Sequence, residues 1–524
     1  MNSNANQDAR NSPVKEEPQP EGPLLRRKIQ YVPVMRTIST YGGRDLEVIE
    51  REHQQSQFQR PMKKMEDFGI VDVEALILQL RSRLNLEVTT ALGLLYHLAF
   101  IRGGDRGSSG LQLSFCDDLT DELLDLLEET AFANSPDVDD PEDARIDSKL
   151  VTNRDLVRTL HEEGNEIFAG VKADQKFGYI SPMHQPWEVV VMIVTILSSV
   201  ASADDNPQFL GSRPRLLDIM TRVCMVRPIA NRGDKPEPSS TVLQLRHILR
   251  IRKDVTSMVS TIAPFTRLDA APPRATRRLF LLLAGTMMDS EECISPGTLG
   301  RTPSGLMDLT LDAFTQIAHP DINRKAISAE VPWEQLWSLM LMLARIIPVT
   351  DLDIQHLVTG PWMSFVFKAA LAIYSLAVVA PLPMRHKMKA SPSLRGALIR
   401  FLCVGTTMNS TQNNLYRSLP IETRTSVEEY WKRIGETLKV IDAEEDPLAS
   451  TSSGAGGVIG YGIGGSYDQH LGAKPPARGT GMFGGARQEL LWSVMSTSAA
   501  GNDVQAFEEW DYMLRVDSSM ASRV

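Results

Sequence analysis

The chain has 524 residues, 42% of them hydrophobic, and a net charge of −10. That length and apolar content bury a substantial core, which excludes wholesale disorder and leaves room for roughly two to four domains or one long repeat array. Charge is segregated along the sequence. From Asp117 to Asp147 there are thirteen acids and one arginine, and from Arg213 to Arg278 fourteen bases and five acids, which predicts two oppositely charged surfaces in one fold.

In chain order, residues 1–36 are expected to be a disordered tail, rich in Asn, Pro, Glu and Gln. It holds a SUMO-acceptor pattern, Val14-Lys15-Glu16-Glu17, with Lys15 as the acceptor, and an import-type cluster at Arg26-Arg27-Lys28. With no apolar run there, no secretory signal is expected, and the chain reads as intracellular. From 37 to 446 the sequence predicts an all-α core. Asp72 is placed to cap a helix carrying Ala75, Leu76, Leu80 and Leu84. Asn85 opens a second, with Val88, Leu92, Leu95 and Leu98 on one face. The third, Leu119 to Phe132, turns Leu119, Leu123, Leu126 and Leu127 inward and its acids outward. An acidic loop, 134–150, follows. Further helices are predicted from Asn153 to Phe168, Trp187 to Ala203, Arg215 to Val226, Thr241 to Ile262, Arg274 to Met288, Ser304 to Ala318, Trp333 to Ile347, Trp362 to Ala380, Ser393 to Met408 and Ile421 to Ile441. Pro, Gly, Asp and Asn between them read as breaks, and no alternating strand pattern appears. Helix pairs recurring at about forty residues predict an armadillo or HEAT-like solenoid, although the sequence alone does not fix the repeat register. Residues 447–486 are expected to be a Gly/Ser-rich flexible loop, and 487–516 to be C-terminal helices capping the core.

The chemistry-bearing residues form no catalytic pattern. Cys116, Cys224, Cys293 and Cys403 make no CxxC, the nine histidines make no HxxxH, and neither GxSxG nor a Walker A sequence occurs. No catalytic residue, cofactor, metal or small-molecule substrate is therefore expected. Gly460 to Gly465 is glycine-rich, but it lacks the preceding strand and following helix of a dinucleotide site. Trp362 to Ala380 has about the length of a membrane span, yet it carries Lys368 and reads as a buried helix. Leu123-Leu124-Asp125-Leu126-Leu127 fits both a receptor-binding LxxLL helix and an ordinary core helix. Arg246, Arg250, Arg252 and Lys253, with Arg277 and Arg278, are candidate contacts for an acidic partner or for weak, sequence-independent DNA binding. Trp333, Trp337, Trp362, Trp431 and Trp492 are candidate interface anchors or core residues.

Three stretches carry a family resemblance: Tyr41-Gly42-Gly43-Arg44-Asp45-Leu46, Phe68-Gly69-Ile70-Val71-Asp72, and LEVTTALGLLYHLAF followed by LSFCDDLTDELLDLLEE. Their order over residues 37 to 220 resembles the C-terminal core of the ARID-bearing scaffold subunit of fungal SWI/SNF (BAF-like) chromatin remodellers. That resemblance implies a non-catalytic, nuclear hub that joins accessory subunits to the Snf2-type ATPase. In that family DNA affinity comes mainly from the ARID, which the first seventy residues here are too short and too polar to fold. An armadillo-type adaptor or transport receptor binding extended peptides is the alternative. Such proteins tend to repeat Asn/Trp pairs along a groove, a period that this sequence does not show.

Overall fold

The computed structural model describes residues 40–41, 44–45, 48, 71–100, 111–132, 150–162, 184–227, 236–289, 303–348, 353, 362–399, 433–438 and 440–441. The tail with Lys15, the acidic loop, the Gly/Ser-rich loop, the C-terminal helices, Trp431 and Trp492 lie outside these residues. The chain forms two compact units, Met1–Met62 and Lys63–Val524. In the first, β1 (Thr40–Tyr41) pairs antiparallel with β2 (Arg44–Asp45), Tyr41 opposite Arg44. The sequence between them is Gly42-Gly43. This strand pairing departs from the all-α expectation for residues 37–446.

The second unit is helical, as the apolar periodicity predicts. Its first helices are α1 (Val73–Arg81), α2 (Asn85–Phe100), α3 (Asp117–Phe132) and α4 (Asn153–Glu162). Next come α5 (Pro186–Val200), α6 (Asn206–Gly211), α7 (Pro214–Val223) and α8 (Leu245–Ile262). The remainder are α9 (Pro273–Met287), α10 (Gly305–Ile317), α11 (Asp321–Glu330), α12 (Trp333–Ala344), α13 (Met363–Val379) and α14 (Leu382–Ala390). A ladder of β3 (Val226–Arg227) on β4 (Glu237–Pro238) follows α7, and the Ser240 hydroxyl beside it donates to Ala131 O at the end of α3.

The helices stack in two rows. In the first, α2, α5, α8, α10 and α13 each pack on the next; in the second, α1, α3, α7, α9 and α11 do the same. One continuous apolar core lies between the rows, from Leu76 to Ile441. Asp72 caps α1 as predicted, its carboxylate accepting from Glu74 N at 3.0 Å and Ala75 N at 3.3 Å. Leu84, expected on the inner face of that helix, lies beyond its end and is exposed. The helix near Trp362 is buried along most of its length. Its Lys368 reaches Asp308 on α10 at 2.9 Å, and no helix among the described residues is long and apolar enough to cross a membrane.

Three short helices, α6, α11 and α14, were not predicted, because their prolines read as breaks. Proline is compatible with a helix start, where its missing N–H needs no partner, and Pro207, Pro320 and Pro381 stand at those starts. These helices also supply the repeat register. At the junction after α5, Asn206 Nδ2 donates to Val200 O and Leu111 O, and its Oδ1 accepts from Leu113 N, each at 2.8 Å. At the junction after α10, Asn323 Nδ2 donates to Ile317 O and Thr266 O at 2.9 Å, and its Oδ1 accepts from Leu268 N at 2.8 Å. In both cases an asparagine six residues past a first-row helix end reaches back to that end. It also clamps a neighbouring 3₁₀ turn, Leu113–Phe115 or Leu268–Ala270. Arginine plays a related part: Arg324 Nε donates to Ala318 O at 2.7 Å, and Arg385 Nε to Ala380 O at 2.8 Å. Replacing Asn206 or Asn323 by alanine strands one buried N–H and two carbonyls. Each substitution is expected to lower unfolding free energy by about 2–4 kcal/mol, read from denaturant midpoints. A change below about 0.5 kcal/mol would show these bonds to be dispensable.

Candidate interaction surface

Among the described residues the two charge blocks do not form separate surfaces; they meet. Along α3, Asp117 and Asp121 take Arg213 of the turn before α7, while Asp125 and Glu128 take Arg215, the latter at 3.1 Å. Asp218 on the same α7 takes Arg274 and Arg278 of α9, each at 3.2 Å. On its other flank α3 is held to α1: Glu122 receives Arg81 Nε at 2.9 Å and Arg83 Nη1 at 2.6 Å. Glu122 is 6% exposed, so not all of the acids of α3 point outward. Its place was legible, since position 122 falls on the apolar stripe of Leu119 and Leu126. Arg83 closes α1 with φ 55°, a left-handed conformation disfavoured for arginine and held here by its two carboxylates and its bond to Leu80 O. The ion pairs between partly exposed side chains contribute little each, but as a network they set the register of the second row.

The predicted cations of α8 separate by helical phase. Arg250 and Lys253 are exposed and Arg246 is half-buried, all on one stripe. Arg252 is 5% exposed and therefore cannot serve as the partner contact expected of it. Its Nε donates to Cys224 O, and its Nη1 to Val151 O and Asn153 Oδ1, each at 3.1 Å. It thus ties α8 to the end of α7 and the start of α4. The signal was present in the sequence: 252 shares a phase with Ile248, Val255 and Val259, the core face of α8. Arg277 is half-buried, and Arg278 is half-buried against Asp218, so the α9 cations sit largely in the second row. Burial pushes the neighbouring Cys224 thiol up to about 12, which makes it unreactive.

Beside this stripe, His247 stacks on Trp187 of α5 with ring centroids 4.4 Å apart and planes within 6°. Its Nδ1 accepts the Gln244 N–H at 3.2 Å, completing the cap of α8. Burial, then Arg246 and Arg250, bring its pKa down to about 4. The tryptophans divide as well. Trp337 and Trp362 are buried in the core, and Lys387 of α14 lies over both Trp333 and Trp337 at 5.1 and 5.3 Å from the ring centroids. The LxxLL leucines Leu123, Leu124, Leu126 and Leu127 are all buried, so that motif serves the core. Among the described residues no group of His, Cys, Asp and Glu is arranged to hold a metal ion. Asn206 and Asn323 are fully buried and spend both amide protons on their own backbone.

Among the described residues of the second unit, exposed apolar side chains include Leu78, Leu84, Leu86, Phe115, Phe265 and Ile322, and Arg250 and Lys253 are exposed on α8. No family model matches the chain, and no curated protein is similar to it.

Two outcomes are expected. Arg252→Met should cost about 2–4 kcal/mol in chemical denaturation, whereas Arg250→Met and Lys253→Met should stay within about 0.5 kcal/mol. For His247, the folded pKa near 4 lies below the unfolded value of about 6.5, so the unfolded state binds more protons between them. Its stabilising contribution is therefore complete above about pH 6.5 and declines toward pH 4, with a slope approaching about 1.4 kcal/mol per pH unit. His247→Gln should flatten stability against pH across that window.

Proposed function

We propose that this chain is a non-catalytic scaffold subunit of a SWI/SNF-type chromatin-remodelling complex, acting in the nucleus to hold accessory subunits and the Snf2-type ATPase together and so supporting nucleosome remodelling and transcription regulation. The reading is supported by the order of sequence landmarks over residues 37 to 220. The observation that carries it is a two-row helical stack in which the buried Asn206 and Asn323 are committed to its own turns, while apolar side chains on its helices and turns stay exposed. In this reading the chain acts by assembly: those apolar side chains lose water against partner subunits, and the charges around them fix register. The Arg246–Lys253 stripe, without Arg252, adds a weak, salt-sensitive contact to DNA or an acidic partner.

The test is affinity purification of the tagged full chain from nuclear extract at moderate salt, with mass spectrometry of what co-purifies. A Snf2-type ATPase at near-stoichiometric yield is the expected result. Recovery of transport factors alone, or of no partner, would remove the reading.

A further inference from the structure

One edge of the stack carries a feature that the fold does not use. Four segments lie side by side there: the 3₁₀ turn Leu113–Phe115, helix α6, the turns spanning Ala263–Ala270, and α11. Asn206 and Asn323 bind these neighbours together, and the approach at Gly211 is close enough that a Cβ there would stand 2.8 Å from Phe265 Cβ. The edge is thus a fixed platform. From it project Phe115, 80% exposed, Phe265, 43% exposed, and Ile322, 39% exposed. A core has no reason to leave a phenylalanine this open, and these three stand at successive turns of the stack.

The charge around them has a sign. Asp204 and Asp205 are exposed at the start of α6, whereas Asp118 near Phe115 pairs with Arg81 at 3.5 Å and Arg213 past the end of α6 is taken up by Asp117 and Asp121. Arg267 beside Phe265 is neutralised locally by Asp269 at 2.9 Å, and Lys325 is the exposed base at the α11 end. Apolar studs bordered by acids match one kind of occupant: a helical segment with an apolar stripe and flanking lysines or arginines, whose cations lie toward the Phe115 end.

We infer that the edge formed by the Leu113–Phe115 turn, α6, the Ala263–Ala270 turns and α11 is a docking site for a basic amphipathic helix of a protein partner. The apolar side chains supply the binding free energy, and the acids supply sign selection and association rate. The inference rests on the edge itself and stands whatever assembly the chain belongs to.

The test titrates the purified full chain with a fluorescent 18-residue helical peptide of leucines and lysines, and with the same peptide carrying glutamates for lysines. Only the lysine peptide should bind. Phe115→Ser combined with Phe265→Ser should weaken it about tenfold or more, and Asp204→Asn with Asp205→Asn about threefold to tenfold, with a shallower dependence on salt. All four side chains are at the surface, so the fold should survive, and circular dichroism confirms it. Should the phenylalanine pair fail to fold, the aspartate pair and the salt series decide alone. Equal binding by wild type and variants, binding of the glutamate peptide, or no binding of the lysine peptide would overturn the inference. So would a wild-type dimer that Phe115→Ser with Phe265→Ser converts to monomer, since the edge would then close on a second copy.

Discussion

The structure depends on satisfying the carbonyls at the ends of first-row helices where those ends are packed under a neighbouring turn. A helix leaves its last carbonyls without partners, and burying them bare costs as much as several apolar contacts return. In this chain the groups that meet them come from the side chains of the next short helix: Asn206 on Val200 O, Asn323 on Ile317 O, Arg324 on Ala318 O, Arg385 on Ala380 O. Because an asparagine has two donors and an acceptor, it can close its own junction and still hold an adjacent turn. A local capping problem is thereby converted into cohesion between repeats.

The two rows share one apolar core and differ in the charge pairing added to it. Along α2, α5, α8, α10 and α13 the contacts are chiefly apolar and the side chains are buried. Along α1, α3, α7 and α9 carboxylates and guanidiniums alternate across each gap. Salt weakens the second kind and leaves the first nearly untouched. Removal of a single charge has unequal effects within that seam, since Glu122 is buried between two arginines while Asp125 is half-exposed beside one.

Much of the fold was legible in the sequence because long helices announce themselves: apolar residues three and four apart leave little choice over Leu119 to Phe132 or Thr241 to Ile262. The short helices were not legible, since six to ten residues offer too few turns for a period and their prolines resemble breaks. The charge pairing was hidden for another reason. Arg213 and Asp121 are 92 residues apart, and opposite blocks read as separate surfaces until the stacking brings them together. Of the candidate contacts, the fate of Arg252 could have been read from helical phase, but the exposure of Phe115 and Phe265 could not, because a turn has no periodicity to say which way a side chain points.

A stack stitched this way bends unequally. Apolar packing resists separation over a fraction of an ångström, whereas an ion pair between long side chains tolerates a longer reach by straightening a few torsions. The Arg213, Arg215 and Arg274 links therefore give the second row more reach on its outer side than the apolar core both rows share. The resistance of the stack to separation is thus uneven, being least where arginine links outnumber apolar contacts.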